Sequence, residues 1–335
     1  LSSNLIEKST SQIKSYFDNN GYFTSNVTSN ISYKKKYAYV DYNIQSGKLY
    51  LINNIKYPQK ATPEIYNLII SNLDDSEIQE GDIFTYSSLN DERIRLANLL
   101  QNNGYYRISK EALYIKADST DNKLVNIEFF FKNKTEKNIY NTFHINKIFI
   151  HLKNNNTQEA TDTILTQNQY YFIKNKNDKY ALKTNVIAEL IKINSEAKYS
   201  KKNAENTHQN LSHLAFFKKI SIEFIEIEDQ QKLDCHIYME NPTKMYYSFE
   251  AEVKRSSDEG NVGVSGYFQF GNKNLFRGAE NLNSKIKVSL GNRQASSNNN
   301  DELFNTKELS YEIGLKKPKI ILPKNLQKWL NNSSQ

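Results

Sequence analysis

Cysteine, tryptophan, proline and glycine are all scarce in this chain of 335 residues, which has one, one, five and eleven of them respectively. The single cysteine, Cys235, excludes an intrachain disulfide, and its apolar neighbours Leu233 and Ile237 predict a buried structural thiol. Long apolar runs are absent as well, so the sequence predicts no transmembrane helix. It begins at Leu1 without an initiator methionine or a signal peptide, and we expect it to be part of a longer protein.

Acidic residues are fewer than basic ones: the chain has 37 aspartates and glutamates against 44 lysines and arginines, for a net charge of +7. A basic protein can bind nucleic acid or anionic lipid. The charges are spread along the chain, however, and no run resembles a basic arm. The longest cluster, Lys34-Lys35-Lys36, falls at a predicted hairpin turn and is interpreted as solvated. The sequence therefore predicts no nucleic-acid partner.

Patterns typical of an enzyme site are missing too. The five histidines show no metal-ligand spacing, and His208 and His213 lie on different faces of a predicted helix. No nucleophile elbow, phosphate loop or dinucleotide-binding glycine motif occurs. Glu250 and Glu252 are close in sequence, but ionised carboxylates on a solvated strand face are ordinary. We predict no enzyme activity and no catalytic, cofactor-binding or metal-binding residue.

What the chain has in abundance is alternation of apolar and polar residues towards its end. One apolar set is Tyr247, Phe249, Ala251 and Val253, and the pattern recurs over Val262–Phe270, Leu282–Leu290 and Leu309–Leu315. Period two predicts strands with one apolar face. Each segment has about 9–10 residues, the length that a tilted strand needs to cross a bilayer. The charged opposite face suits a wet barrel lumen, so we predict transmembrane β-strands.

A repeat precedes these strands. Two predicted helices, Ile6 to Phe23 and Leu89 to Tyr106, end in the same sequence, Asn-Asn-Gly-Tyr. Gly21 and Gly104 take the position at which a left-handed residue terminates a helix without a Cβ penalty. The two copies are therefore predicted to be equivalent parts of one repeated unit.

Capping residues mark two helices of the complete copy. Thr62 is the predicted N-cap of one helix, with Pro63 at its first position. Ser87 or Ser88 is the predicted N-cap of the next. Strand-like runs before and after these helices give the repeated unit the order β-α-α-β-β.

Four regions follow from the repeat and the alternating segments. We predict a partial module over 1–46, a complete module over 47–137, a third module over 138–242 with an insertion at 153–183, and membrane strands over 243–335. The third module is diverged, because Ala215-Phe216-Phe217 stands where the others have Asn-Gly-Tyr.

Tandem β-α-α-β-β modules followed directly by membrane strands resemble one family, the Omp85 outer-membrane assembly factors, whose periplasmic modules are POTRA domains. The most specific local match runs from Gly271 to Leu282. It looks like the Asn-Leu-Phe-Gly-Arg-Gly-type turn after the second barrel strand, with the motif residues Gly271, Asn274, Leu275, Phe276, Arg277 and Gly278. We expect Gly271 and Gly278 to permit tight turns and Leu275-Phe276 to be an apolar anchor. Within the family, the chain is most similar to the BamA/TamA-like members of Bacteroidota.

The resemblance implies an α+β fold of tandem POTRA modules followed by antiparallel strands that form the first part of a sixteen-stranded transmembrane β-barrel. It implies a protein of the outer membrane with its modules in the periplasm. Its function would be the assembly or insertion of outer-membrane proteins, without any cofactor. The partners would be unfolded outer-membrane protein clients, outer-membrane lipid and accessory subunits of an assembly machine.

The mechanism that the resemblance implies is β-augmentation, in which a client strand pairs with an exposed sheet edge. We predict such edges at Thr24–Ser32 and Arg107–Ala117 in the modules. We also predict one at the first barrel strand, Met245–Lys254, a lateral gate whose apolar residues are Tyr247, Phe249, Ala251 and Val253. Three other functions stay open: a two-partner-type secretion pore, a barrel-anchored binding protein, and a soluble periplasmic β-rich binding protein.

Overall fold

A computed structural model describes residues 3–59, 61–119, 123–131, 139–153, 161–165, 170–175, 182–240, 244–255, 262–291 and 306–318. The chain forms two compact units. The first comprises Leu1–His144, Ala197–Lys202 and Asp229–Lys232, and the second Ile145–Glu196, Asn203–Glu228 and Leu233–Gln335. No helix within the described ranges is long and apolar enough to cross a membrane.

The first unit begins with a helix and a hairpin. Helix α1 (Ser3–Asn19) precedes strands β1 (Asn26–Lys34) and β2 (Tyr37–Gln45), which pair antiparallel across a two-residue turn. Ile6 of α1 and Val27 of β1 are buried. This is the helix and the two strands that the sequence predicts for a partial module.

The same unit contains a complete β-α-α-β-β module, as predicted. Its elements are β3 (Leu51–Lys56), α2 (Pro63–Ile70), α3 (Tyr86–Asn102), β4 (Leu113–Ser119) and β5 (Leu124–Phe131). The strand order is β3-β5-β4, with β3 parallel and β4 antiparallel to β5. Apolar residues of both helices and of the sheet form one core, with Ile65, Leu96, Leu100, Ile127 and Phe129 among its most buried members.

One of the two predicted helix caps is confirmed and the other is wrong. Thr62 caps α2, since its side chain accepts a hydrogen bond from the Ile65 N–H. The N-cap of α3 is Thr85, which has an extended backbone and whose side-chain oxygen accepts a hydrogen bond from the Ser88 N–H at 3.1 Å. Ser87 and Ser88 already lie within the helix. The sequence offers three hydroxyl residues in four positions here, so composition alone does not select the cap.

The repeated glycines terminate their helices as predicted. Gly21 and Gly104 have φ of 88° and 99°, in the left-handed region that favours glycine. Each carbonyl oxygen also accepts a hydrogen bond from the residue ahead of the next module's first strand. Gly21 accepts from the Tyr50 N–H (3.1 Å) and Gly104 from the Phe143 N–H (2.8 Å). The turn that ends one module is therefore also its connection to the next.

Aromatic rings repeat at the same two connections. Phe23 packs edge-on against Tyr50 (5.3 Å) and Tyr86 (5.4 Å). Tyr106 does the same against Phe143 (5.8 Å) and Tyr199 (4.9 Å). In both cases the aromatic residue two positions after the glycine contacts one ring just ahead of the following module's first strand and a second ring at, or two residues before, the start of its second helix.

A five-stranded sheet belongs mainly to the second unit. Its elements are β6 (His144–Lys153), β7 (Thr161–Leu165), β8 (Tyr170–Asn175), α4 (Thr184–Leu190), α5 (Lys201–His213), β9 (Ile220–Glu226) and β10 (Lys232–Glu240). The strand order is β7-β8-β6-β10-β9. Thus the β-α-α-β-β order predicted for the third module is present, with two added strands.

The added strands lie in the predicted insertion at 153–183, for which the sequence assigned no structure. Strand β8 runs parallel to β6, and β7 pairs antiparallel with β8. Tyr170 and Phe172 of β8 are buried, so the insertion supplies core residues. Positions 154–160, 166–169 and 176–181 of the insertion lie outside the described residues.

Two further features of this module agree with its sequence. Ala215, one position ahead of the residue aligned with Gly21 and Gly104, has a φ of 49°, so the diverged copy keeps a left-handed residue after its helix without glycine. Cys235 is fully buried, and its burial, followed by the charge of Asp234, raises the pKa of the thiol. A thiol that stays protonated is a poor nucleophile, which fits the predicted structural role.

The four alternating segments form an antiparallel sheet in sequence order. Its strands are β11 (Met245–Arg255), β12 (Val262–Asn272), β13 (Asn281–Gly291) and β14 (Thr306–Lys316), each of 11 residues. The predicted strands are present and are two to four residues longer than the alternating segments. Residues 256–261, 292–305 and 319–335 lie outside the described part of the chain.

Candidate functional site

Strand β11 has one strongly apolar face and, among the described residues, one edge without a partner strand. Within the described residues, only β12 pairs with it. Tyr247, Phe249 and Val253 are 82%, 76% and 72% exposed, and Ala251 lies between them on the same face. Their cross-strand partners on β12 are Phe270, Phe268, Val264 and, opposite Ala251, Gly266. All four predicted gate residues therefore share one apolar surface next to an unpaired backbone edge.

The apolar face continues across the other strands. Phe268 lies opposite Ile286, which lies opposite Tyr311, and Gly266 is linked in the same way through Val288 to Leu309. These large side chains are exposed to between 39% and 75%. An apolar sheet face of this extent is energetically unfavourable in water, and a lipid environment would remove that cost.

The opposite face of this sheet is polar and internally hydrogen-bonded. The Tyr267 hydroxyl donates to the Glu252 carboxylate (2.8 Å), and the Gln269 amide donates to Asn283 (3.0 Å). Lys287 lies 3.7 Å from Glu308. Glu252 therefore has a structural partner, in agreement with its interpretation as an ordinary carboxylate on a solvated face.

Both module edges that the sequence predicts are edge strands, but the bounds of the strands differ from those predicted. Of the predicted Thr24–Ser32, residues 26–32 lie in strand β1, which runs on to Lys34 and is an edge of its two-stranded sheet. In Arg107–Ala117, the strand begins only at Leu113, because Lys110–Ala112 form a 3-10 turn. Strand β4 is nevertheless an edge of its sheet.

The other edge of the complete module is covered by its own chain. Tyr50 and Ile52, at the start of β3, exchange backbone hydrogen bonds with Gly81, Asp82 and Phe84 at 2.7–2.9 Å. In the third module, β8 covers the corresponding edge of β6, and β9 is left as an edge that the sequence did not single out. Glu223 and Glu226 lie on β9, and charged residues on an edge disfavour pairing with another strand.

The Gly271–Leu282 motif forms the turn between β12 and β13, but its glycines have different roles from those expected. Arg277 and Ala279 adopt positive φ (65° and 60°) and make the tight turn. A Cβ at Gly271 would collide with the Tyr246 ring, and one at Gly278 would lie 2.5 Å from a Glu280 oxygen. The two glycines thus make room for neighbouring side chains.

Glu280 organises this turn, and sequence reasoning missed it. Its Oε2 accepts the N–H groups of Gly278 (2.9 Å) and Phe276 (3.1 Å). Asn274 adds a third bond, since its Oδ1 accepts the Ala279 N–H (3.1 Å). Desolvation alone would raise the pKa of the Glu280 carboxyl, but the backbone N–H groups of Glu280, Gly278 and Phe276 outweigh it and lower the pKa.

The turn is attached through its backbone rather than through its apolar side chains. The Arg277 carbonyl accepts the Lys183 N–H (3.0 Å), just ahead of α4, and Lys273 donates to the Lys244 carbonyl (2.8 Å). Leu275 and Phe276 are exposed, whereas Asn274 and Ala279 are buried. The prediction that Leu275 and Phe276 anchor the turn is therefore wrong, because both side chains are exposed.

Acidification is expected to loosen this turn. Because the folded-state pKa of Glu280 is lowered, its stabilisation is complete above the unfolded glutamate pKa of about 4.3 and is lost as the pH falls further, through the folded pKa. Protection of the Gly278 and Phe276 amides from hydrogen exchange should fall in the same range. In Glu280→Gln we expect a loss of about 1–2 kcal/mol in opening free energy at neutral pH, with no remaining pH dependence.

Asn274→Ala is the matched control within the same turn. It removes the acceptor of the Ala279 N–H but leaves the carboxylate, so it should weaken the turn without changing the pH dependence. The same pH profile in wild type and Glu280→Gln would contradict the assignment.

Two histidines form a hydrogen bond that their separation in the sequence did not predict. His151 Nε2 and His236 Nδ1 are hydrogen-bonded at 2.9 Å on adjacent strands. Within the described ranges, no group of three or more histidine, cysteine, aspartate or glutamate side chains is placed to hold a metal ion.

The sequence of the first module matches a known family model. Residues 1–47 match the POTRA model, described as surface antigen variable number repeat. This match coincides with α1, β1 and β2, so the N-terminal part of the chain has an α+β, POTRA-like fold. A comparison with curated protein sequences finds no match.

Several solved structures are similar to this chain at low identity. POTRA domains 3–5 of BamA from Haemophilus influenzae are 15% identical over 70% of this chain and 80% of that one, with a TM-score of 0.38. BamA from Haemophilus ducreyi lacking POTRA domains 1–3 (10%, covering 72% and 43%, TM-score 0.41) and CdiB from Acinetobacter baumannii (12%, covering 72% and 38%, TM-score 0.34) are also similar. This chain thus spans less than half the length of the last two, and these TM-scores support no functional argument.

Proposed function

We propose that this chain belongs to an outer-membrane assembly factor of the Omp85 type. Its β-α-α-β-β modules lie in the periplasm, and β11–β14 are the first strands of a transmembrane barrel of sixteen. The POTRA match at residues 1–47 supports the periplasmic part. The membrane part is supported by four paired 11-residue strands with one continuous apolar face.

The observation that carries the proposal is the edge of β11 that no described strand pairs with, next to that apolar face. A client strand cannot enter hydrocarbon with its N–H and C=O groups unsatisfied. Pairing with β11 satisfies the backbone N–H and C=O groups along one edge of the client strand. The apolar side chains of Tyr247, Phe249 and Val253 would keep the paired strands at the depth of the lipid hydrocarbon. Backbone pairing demands little of the client's sequence, which suits a factor that handles many outer-membrane proteins. No covalent chemistry or cofactor is required.

The module edges β1 and β4 would receive clients before the membrane step. Both are second strands of the repeated unit, antiparallel to the strand beside them. Strand β1 carries no charged side chain before Lys34, so it lacks the charges that usually protect an edge from pairing. Strand β4 carries Lys116 and Asp118, so β1 is the more favourable of the two edges. Accessory subunits would compete for the same edges.

Photo-crosslinking at two valines tests the proposal. Val253 of β11 and Val288 of β13 lie on the same apolar face and are both exposed, but β13 is paired on both sides. A photoreactive residue at 253 is expected to capture an unfolded outer-membrane client during assembly, and one at 288 is not.

Equal capture at both positions would rule out the edge as the working element. Capture of a secreted polypeptide at Lys287, on the polar face of β13, with none at Val253, would support the two-partner secretion pore instead. Capture of a folded ligand without any assembly activity would support a barrel-anchored binding protein.

A further inference from the structure

The turn between β1 and β2 differs in chemistry from its two counterparts in the chain. All three hairpins place one non-glycine residue at positive φ: Lys35 (58°), Lys123 (63°) and Asp229 (56°). The first turn reads Tyr-Lys-Lys-Lys-Tyr over 33–37, whereas the third reads Glu-Asp-Gln-Gln over 228–231. The second runs from Asp118 to Lys123 and contains two aspartates and one lysine. Basic and aromatic residues are thus concentrated at one of three equivalent tips.

The side chains of the first tip are open to solvent. Lys34, Lys35 and Lys36 are exposed, and no carboxylate in the described part of the chain forms an ion pair with them. Tyr33 and Tyr37 are 77% and 70% exposed. The nearest acidic residue along the hairpin is Asp41, opposite Asn30 and four residue pairs from the turn.

The tyrosines lie on both faces of the hairpin. The register places Tyr33 opposite Ala38 on one face, and Tyr37 opposite Lys34 on the other. Tyr39, opposite Ser32, shares the second face and is half exposed. Because successive residues of a strand alternate between faces, the three ammonium groups at the tip are flanked by phenol rings on either side of the ribbon.

We propose that this β1–β2 tip docks on an anionic phospholipid surface. Lysine ammonium groups are attracted to the lipid phosphates, and tyrosine rings are preferred at the headgroup level, where the ring is buried and the hydroxyl stays wet. The proposal does not depend on client assembly. It gives the first module a membrane-binding role of its own.

The distribution of the rings favours a bilayer over an acidic protein. A protein surface would cover one face of a two-stranded ribbon and leave either Tyr33 or Tyr37 and Tyr39 exposed. A headgroup layer surrounds a penetrating tip on all sides, so it accommodates both faces at once. The two-residue turn is narrow enough to enter such a layer.

A flotation assay with a reporter at the tip tests the proposal. The full-length protein is held in nanodiscs of phosphatidylcholine, which occupy its membrane strands. Vesicles of phosphatidylcholine, or of an equimolar mixture with phosphatidylglycerol, are then added. Any cysteine outside this sequence is replaced by serine, and an environment-sensitive dye on Ser32→Cys then reports the tip selectively, since Cys235 is buried. We expect flotation with the anionic vesicles alone, a blue shift of the dye, and loss of both at high salt.

Neutralising the tip should abolish binding. The variant is Lys34→Gln, Lys35→Asn and Lys36→Gln, with asparagine at 35 because it tolerates positive φ. Each lysine removed should lower the partition coefficient for anionic vesicles about fivefold, so the three substitutions together should lower it on the order of a hundredfold. The control, Lys8→Gln, Lys48→Gln and Lys202→Gln, changes the net charge equally at exposed positions elsewhere and should bind as wild type.

A second variant separates insertion from charge attraction. Tyr37→Thr with Tyr39→Thr keeps the lysines, so it should still respond to anionic lipid but lose the blue shift. Equal flotation of the tip and control lysine variants would overturn the proposal. So would equal binding to both vesicle types, or a dye response to an added acidic protein but not to vesicles. Circular dichroism of each variant confirms that the module is folded.

Discussion

Replacing Glu92 by alanine is expected to lower the free energy of unfolding of the complete module by about 3–5 kcal/mol. Glu92 is a fully buried carboxylate on α3. Its oxygens accept hydrogen bonds from Arg95 Nε and Nη2 (both 2.7 Å), the Glu77 N–H (3.0 Å) and the Tyr57 hydroxyl (3.2 Å). Four donors from three parts of the module thus share this one side chain.

The expected loss is large because the partners remain after the carboxylate is removed. The Arg95 side chain is 15% exposed, so its guanidinium would lose its counter-charge where water replaces it poorly. The Glu77 N–H would also lose its acceptor at a part-buried position, and an unsatisfied donor there adds a smaller desolvation cost. Truncating one partner of a buried ion pair is therefore more damaging than the net strength of the pair suggests.

Hydrogen exchange in α3 measures this effect locally. Protection of the Leu96 and Leu100 amides, which belong to buried core residues, reports opening of the module. Asp91→Ala is the control, since Asp91 is the neighbouring acid on the exposed side of the same helix and should change stability by less than about 0.5 kcal/mol. Similar protection in the two variants would refute the role assigned to Glu92.

Proline in β11 is expected to give the largest effect on client assembly. Adjacent residues of a strand direct their N–H groups to opposite sides. Of Ala251→Pro and Glu252→Pro, one therefore removes an N–H that pairs with β12 and the other an N–H on the free edge. The edge variant should slow client insertion on the order of tenfold, because proline cannot donate and its ring obstructs pairing. The other should destabilise the sheet.

The two proline variants control each other. Client insertion into proteoliposomes is followed by protease protection, and the integrity of the sheet by thermal melting. We expect one variant with a wild-type melting profile and slow insertion, and one with a lowered melting temperature. Normal insertion by the variant that keeps its stability would exclude the β11 edge from the mechanism.

The sequence predicted those parts of the fold in which a single local requirement, such as burial of one strand face, a helix cap or a positive φ, decides which residue is present. In β11–β14, alternation of residues such as Tyr247 and Phe249 with polar neighbours left a single register for the apolar face. Thr62 was identifiable as a cap because Pro63 fixes the first helical position. Gly21 and Gly104 were identifiable because the position requires positive φ.

Prediction failed where a residue's role depends on distant partners. Strands β7 and β8 are short, and only their pairing beside β6 reveals that the insertion extends a sheet. Which module edges are open likewise depends on pairing, as the cover of β3 by Gly81 and Asp82 illustrates. In the β12–β13 turn, the motif located the correct segment, but the roles expected of its glycines and of Leu275-Phe276 were wrong, and Glu280 was missed. Its contacts follow from left-handed Arg277 and Ala279, a conformation rare for such residues.

The connection made by Gly21 and Gly104 has a consequence for how such a chain grows. The complete module carries both halves of this joint: an outgoing glycine carbonyl followed by an aromatic ring, at Gly104 and Tyr106, and an incoming ring-bearing N–H ahead of its first strand, at Tyr50. Both halves lie inside the repeated sequence. Duplication of one module would therefore supply a compatible joint at both ends, and arrays of different length could arise without any new linker.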